Sequence, residues 1–138
     1  MRKRTRSREC ALQLLYQLDL NCAEVDTIFE DFWKHHDGSG PEIRAYAERL
    51  VRGVTENLDE VDRIIERYAE NWKIDRMAYV DRNILRLSTY ELCRLEEIPV
   101  KVAINEAVEL AKRYGEPDSS KFVNGILDKI AKNECQKK

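Results

Sequence analysis

Five of the first eight residues are cations, Arg2, Lys3, Arg4, Arg6 and Arg8, and none is acidic. Guanidinium and ammonium groups at that density suit phosphate oxygens, so the segment fits a polyanion partner; taken alone it fits a solvated terminal tail equally. The remainder of the chain has the opposite sign. The whole sequence holds 24 basic against 26 acidic residues, and without the five prefix cations the balance is 19 against 26. Just downstream, Arg6, Gln13 and Gln17 share a narrow sector of a helical wheel drawn at about 100° per residue, flanked by Glu9 and Tyr16. Such a face could use Arg for charge, Gln for base edges and Tyr for stacking, although an ordinary polar helix face has the same look.

Glu91 breaks a local rule. Its spacing puts it on the apolar side of a helix, among Ile84, Leu87 and Leu95. A carboxylate there must find partners, because an unpaired buried charge costs several kcal/mol. It is either a general acid or base, or an anchor bonded to backbone amides or an Arg. No second carboxylate, histidine or nucleophile stands in constellation with it, which favours the anchor. Asn124 and Gly125 interrupt another helix, where Gly costs about 1 kcal/mol against Ala. Either close packing or close approach of a ligand would account for that glycine. There is no phosphate-cradling Gly loop, no His-bearing triad and no metal box. Cys10, Cys22, Cys93 and Cys135 lack metal-knuckle spacing and read as reduced thiols packed as small apolar groups.

Helices must carry these side chains, since helical periodicity is everywhere and strand patterns are nearly absent. Ala11, Leu14, Leu15, Leu18 and Cys22 mark a first helix over about residues 5 to 20. Val25, Ile28, Phe29, Phe32 and Trp33 mark a second, and a loop from His35 to Pro41 precedes a third carrying Ile43, Tyr46, Ala47, Leu50, Val51 and Val54. Asn57 and Glu60 form a capping-box variant for a fourth with Val61, Ile64, Ile65 and Tyr68. Asp75 is the expected cap of a fifth over about residues 76 to 96. Ile104, Ala107, Val108 and Ala111 mark a sixth, stopped by Lys112, Arg113 and Gly115, and Asp118 or Ser119 caps a seventh with Phe122, Val123, Ile126, Leu127 and Ile130. The expected fold is all-α, about seven helices in two packed bundle subdomains, residues 1–70 and 71–138, within one domain. With no apolar run long enough for a bilayer and no signal-peptide core, the cytoplasm is the expected location and no membrane partner is expected.

Four blocks, in order, resemble the NusB transcription-antitermination family. They are RECALQLLY at Arg8–Tyr16, VDRNILRLSTYEL at Val80–Leu92, IPVKVAINEAVELAK at Ile98–Lys112 and SKFVNGILD at Ser120–Asp128. The resemblance implies two stacked helical subdomains. It implies binding of boxA RNA as a single strand, jointly with NusE, a ribosomal small-subunit protein, inside an RNA polymerase antitermination complex on ribosomal RNA operons. It implies no catalysis and no cofactor. Arg4, Arg6 and Arg8 match the family's arginine-rich lead, with Arg2 and Lys3 in the same segment, and would contact phosphates. Gln13 would extend that surface, and Tyr68, Arg86, Lys121 and Phe122 resemble further RNA positions. Tyr16 and Asp81 resemble partner-facing positions, and Glu91 stays structural. The resemblance leaves monomer and homodimer open. The rival reading is a helical adaptor that binds protein and never touches RNA.

Overall fold

A computed structural model describes residues 2–21, 23–36, 40–135 and 137. Among them are seven α-helices and no strand: α1 (Lys3–Leu20), α2 (Val25–His35), α3 (Pro41–Glu56), α4 (Leu58–Tyr68), α5 (Tyr79–Arg94), α6 (Val100–Tyr114) and α7 (Ser119–Glu134), with a short 3-10 turn at Ile74–Arg76 before α5. The expected all-α fold is what the chain adopts. Cys22 and the middle of the expected 35–41 loop lie outside the described residues.

α5 is the axle. It packs against α1, α3, α4, α6 and α7, while α1 pairs with α3 and α6 with α7. Being surrounded, it buries polar as well as apolar side chains: Asn83, Arg86, Ser88, Thr89 and Glu91 lie beside Ile84, Leu85, Leu87 and Leu92. One continuous hydrophobic cluster runs from Cys10 to Ile130 and includes side chains from every α-helix. Gly53 admits the Tyr90 ring to the face of α3, where a Cβ would overlap it.

Several helix ends differ from the sequence expectation, each for a local reason. α1 starts two residues earlier, with Arg2 as its N-cap. Asn57 stands at the N-cap position of α4, but its side chain makes no capping bond there: it donates to Gly53 O at 2.8 Å and so closes the end of α3. Asp75 lies in the 3-10 turn rather than at a helix start. Glu66 Oε2 accepts the Ile74 N–H at 2.8 Å, and Met77 turns inward on extended backbone, so α5 begins only at Tyr79. At the start of α7 neither candidate cap binds the helix's own amides; Ser119 Oγ accepts the Glu116 N–H at 2.9 Å and braces the preceding turn. Gly115 is required there, since a Cβ would come within 2.6 Å of Ser119 Cβ. Asn71 takes the left-handed conformation, φ 63°, which Asn tolerates well, and so turns the chain out of α4.

Candidate nucleic-acid interface

The basic prefix is helix, not tail. The Arg6 N–H bonds Arg2 O at 3.1 Å, closing the first turn of α1. Ser7 Oγ donates to Ile43 O at 2.8 Å and Thr5 Oγ1 to Glu106 Oε1 at 2.5 Å, so α3 and α6 hold that turn from two sides. It has no side-chain cap and no acidic residue. Its free backbone N–H groups and partial positive dipole therefore add to the side-chain cations. Arg2, Lys3 and Arg4 are exposed and Arg6 is half-buried. The Arg4 guanidinium stacks on the Tyr46 ring at 4.4 Å, with an open cleft on each side of it. Lys3 forms a solvent-exposed pair with Glu42 at 3.0 Å, which contributes little to stability.

Arg8 departs from the expectation for the prefix. It is 3% exposed, and its Nε donates to both Glu91 oxygens at 3.1 and 2.9 Å while Nη1 reaches Glu106 at 2.9 Å. Tyr46 OH also donates to Glu91. Burial pushes the Glu91 carboxyl above its ordinary range, and Arg8 and Tyr46 pull it back. Glu91 is thus the expected anchor, and its Arg is one the sequence had suggested for phosphates. The signal was present: Arg8 shares its side of the α1 wheel with Ala11, Leu12 and Leu15.

Arg86 is likewise turned inward. It is 8% exposed, with Nε and Nη2 on Asp62 at 2.8 and 3.0 Å and Nη1 on Asp19 at 3.2 Å. Asp19 also accepts Arg82 Nε at 2.7 Å and Asn83 Nδ2 at 2.8 Å. Burial raises its carboxyl, but these bonds outweigh burial and hold it below the usual range. The cluster ties the end of α1 to α4 and α5. Tyr68 is turned away from the other candidates. Its hydroxyl donates to Glu134, roughly 18 Å along α7 from Phe122 at about 1.5 Å per residue.

Lys121 is exposed at the start of α7, and beside it Phe122 meets Trp72 edge-on at 5.8 Å. These two rings line a cleft with Arg76, Met77, Asp81 and Asp118. Asp81 Oδ1 is shielded from solvent and has no hydrogen-bond partner among the described residues. Tyr16 stands elsewhere, tilted against Tyr79 at 5.6 Å, with Arg82 over the Tyr79 ring at 4.3 Å. Tyr79 and Asp81 differ by about 200° around α5, so Tyr16 and Asp81 occupy opposite sides of its first turn. Gln13 is half-buried, and Glu9, expected at the edge of an open face, is covered by α6. Trp72 and Tyr79 were missed. Trp72 fits neither flanking apolar set, and an unplaced aromatic in a turn was the available clue.

The NusB family profile matches residues 5–132. The chain belongs to the NusB family. It is 51% identical over 129 residues to transcription antitermination protein NusB of Anaeromyxobacter dehalogenans, covering 94% of this chain and 90% of that one. The fold is similar to that of T. maritima NusB, with a TM-score of 0.88 at 42% identity over 96% of this chain and 92% of that one. It is also similar to a chain in a crystal structure of antitermination factors NusB and NusE in complex with dsRNA, with a TM-score of 0.87 at 33% identity, covering 96% and 98% of the two chains. NusB membership accounts for the four sequence blocks together, and the geometry divides their candidates into exposed side chains and internal ties.

Proposed function

We propose that this chain is a transcription antitermination protein that binds boxA-type RNA as a single strand, together with a NusE-like ribosomal protein. It acts in the cytoplasm within an RNA polymerase antitermination complex on ribosomal RNA operons, without catalysis. The observation that carries the RNA reading is the first turn of α1: Arg2, Lys3, Arg4 and Arg6 around an uncapped helix start on a rigid body. Its chemistry suits phosphates, and the exposed ring of Trp72 suits an unpaired base. Gln13, Lys121 and Phe122 extend the RNA surface. Arg8 and Arg86 support it from within, and Tyr68 lies apart from it. Tyr16 and Asp81 are the proposed partner contacts, so the partner's footprint spans the first turn of α5. The excess of carboxylates over the rest of the sequence suits a basic ribosomal partner.

The test is a titration of boxA-like single-stranded RNA, its scrambled form and the duplex at several salt concentrations, with and without a NusE-like protein. Neutralising about four phosphates gives a slope of log K against log salt near −3. Replacing Arg2, Lys3 and Arg4 by Gln is expected to flatten that slope by about 2 and to leave partner binding intact. A flat salt response of the unaltered chain would contradict the mechanism. Loss of partner binding alone in the triple variant would favour the adaptor reading.

A further inference from the structure

We propose that Tyr114 is a base-stacking platform for single-stranded RNA, clasped by Glu9 and flanked by Arg6 and Arg113. The inference rests on the RNA reading above and adds residues that neither the sequence blocks nor that reading assigned.

Tyr114 ends α6 and is 41% exposed. Its hydroxyl donates to Glu9 Oε2 at 2.9 Å, which fixes one edge of the ring. Among the described residues no aromatic ring or cation covers its face. Glu9 is an unusual support, because its side chain is only 4% exposed beneath Arg6 and Arg113. Arg113 Nη1 bonds the same oxygen as Tyr114, and Arg6 Nη1 reaches Oε1 at 3.3 Å. One carboxylate therefore holds a phenol and two guanidiniums, and the cluster keeps a net positive charge. Each guanidinium has five N–H donors and gives Glu9 only one nitrogen's worth, which leaves donors for phosphate. Arg6 and Arg113 are still partly open to solvent, at 35% and 46%. An aromatic face held at its edge and bordered by partly open cations is what a ribonucleotide strand needs: stacking for the base, charge for the phosphates beside it.

Position strengthens the case. Arg2, Arg6, Glu9 and Gln13 follow one another at helical spacing along α1, so the clasp continues the basic first turn. On its other side Tyr114 leads through Gly115 to Glu116, which lines the Trp72–Phe122 cleft. Tyr114 thus stands between the two groups of candidate contacts and gives a strand that runs from one to the other a place to stack.

The experiment uses the full chain and a boxA-like single strand carrying 2-aminopurine at successive positions. The unaltered chain is expected to quench the probe at one position by stacking. Tyr114→Ala should abolish that quenching and weaken binding about tenfold. Tyr114→Phe, which keeps the ring but not the bond to Glu9, should retain quenching. Arg113→Gln should flatten the salt slope by about 0.7. Circular dichroism verifies that each variant is folded, and Tyr114→Leu, which keeps an apolar side chain without a ring, should also lose the quenching and supplies the readout should the Ala variant fail to fold. If the unaltered chain binds RNA while the ringless Tyr114 variants bind and quench as it does, the platform is overturned and the RNA reading stands. If the unaltered chain binds no RNA at all, the RNA reading falls and the platform with it.

Discussion

Arg8 and Arg4 are the same residue type, one helical turn apart, with different work. Arg4 faces solvent over Tyr46; Arg8 is enclosed and bonded to Glu91 and Glu106. Arg8→Ala would leave Glu91 buried without its cation and is expected to cost about 3–5 kcal/mol of unfolding free energy in denaturant titrations. Arg4→Ala should change stability by less than about 1 kcal/mol in the same titrations. Asp19 and Glu9 give the molecule a pH dependence. Burial raises the Glu9 carboxyl, yet bonds from Tyr114, Arg113 and Arg6 hold it below the ordinary range, as the Arg82, Asn83 and Arg86 contacts do for Asp19. A depressed folded value means that the unfolded chain binds more protons in acid. The stabilisation is therefore complete above the ordinary carboxylate range and is lost as pH falls through the lowered values. Thermal melts should fall steeply below about pH 4, and Asp19→Asn should lower the melting temperature at neutral pH while flattening that fall.

At the scale of helices, the glycines separate packing from exposure. Gly125 was open to either explanation from sequence; no atom lies near the position of its missing Cβ, so internal packing does not require it. Gly125→Ala is expected to stabilise the chain by about 1 kcal/mol, read as a higher melting temperature. Gly53→Ala must displace the Tyr90 ring from α3 and should give none of that gain. The C-terminal segment also acts on an element. Lys137 Nζ donates to Glu91 O and Leu95 O at 2.8 and 2.7 Å, and Cys135 Sγ to Leu92 O at 3.1 Å, so this segment binds carbonyls around the end of α5. Burial pushes the neighbouring Cys93 thiol up to about 11, so it stays protonated at neutral pH.

Over the whole molecule, α5 joins what the sequence divides at residue 70. α4 precedes that division yet packs chiefly on α5 and α7, and the core is continuous across it. We propose that the halves 1–70 and 71–138 are a division of packing and not of folding. Denaturant unfolding followed by Trp33 and Trp72 fluorescence and by far-UV circular dichroism should give coincident single transitions. Two resolved transitions would contradict this.

Periodicity and stop signals in the sequence determined the number, order and type of helices, because amphipathic spacing and chain-breaking residues are local properties. They also exposed Glu91 as a buried group in need of partners and the first eight residues as a dense cluster of cations. Tertiary structure decided which cations remain available. Arg2 and Arg4 stay in solvent; Arg8 and Arg86 are drawn inside by carboxylates on distant helices, up to 98 residues away for Glu106. It likewise brought Arg113 and Tyr114 onto Glu9 across 104 and 105 residues of chain. A side chain's charge is written in its own letter, but its freedom to meet a ligand depends on which partners the fold sets beside it.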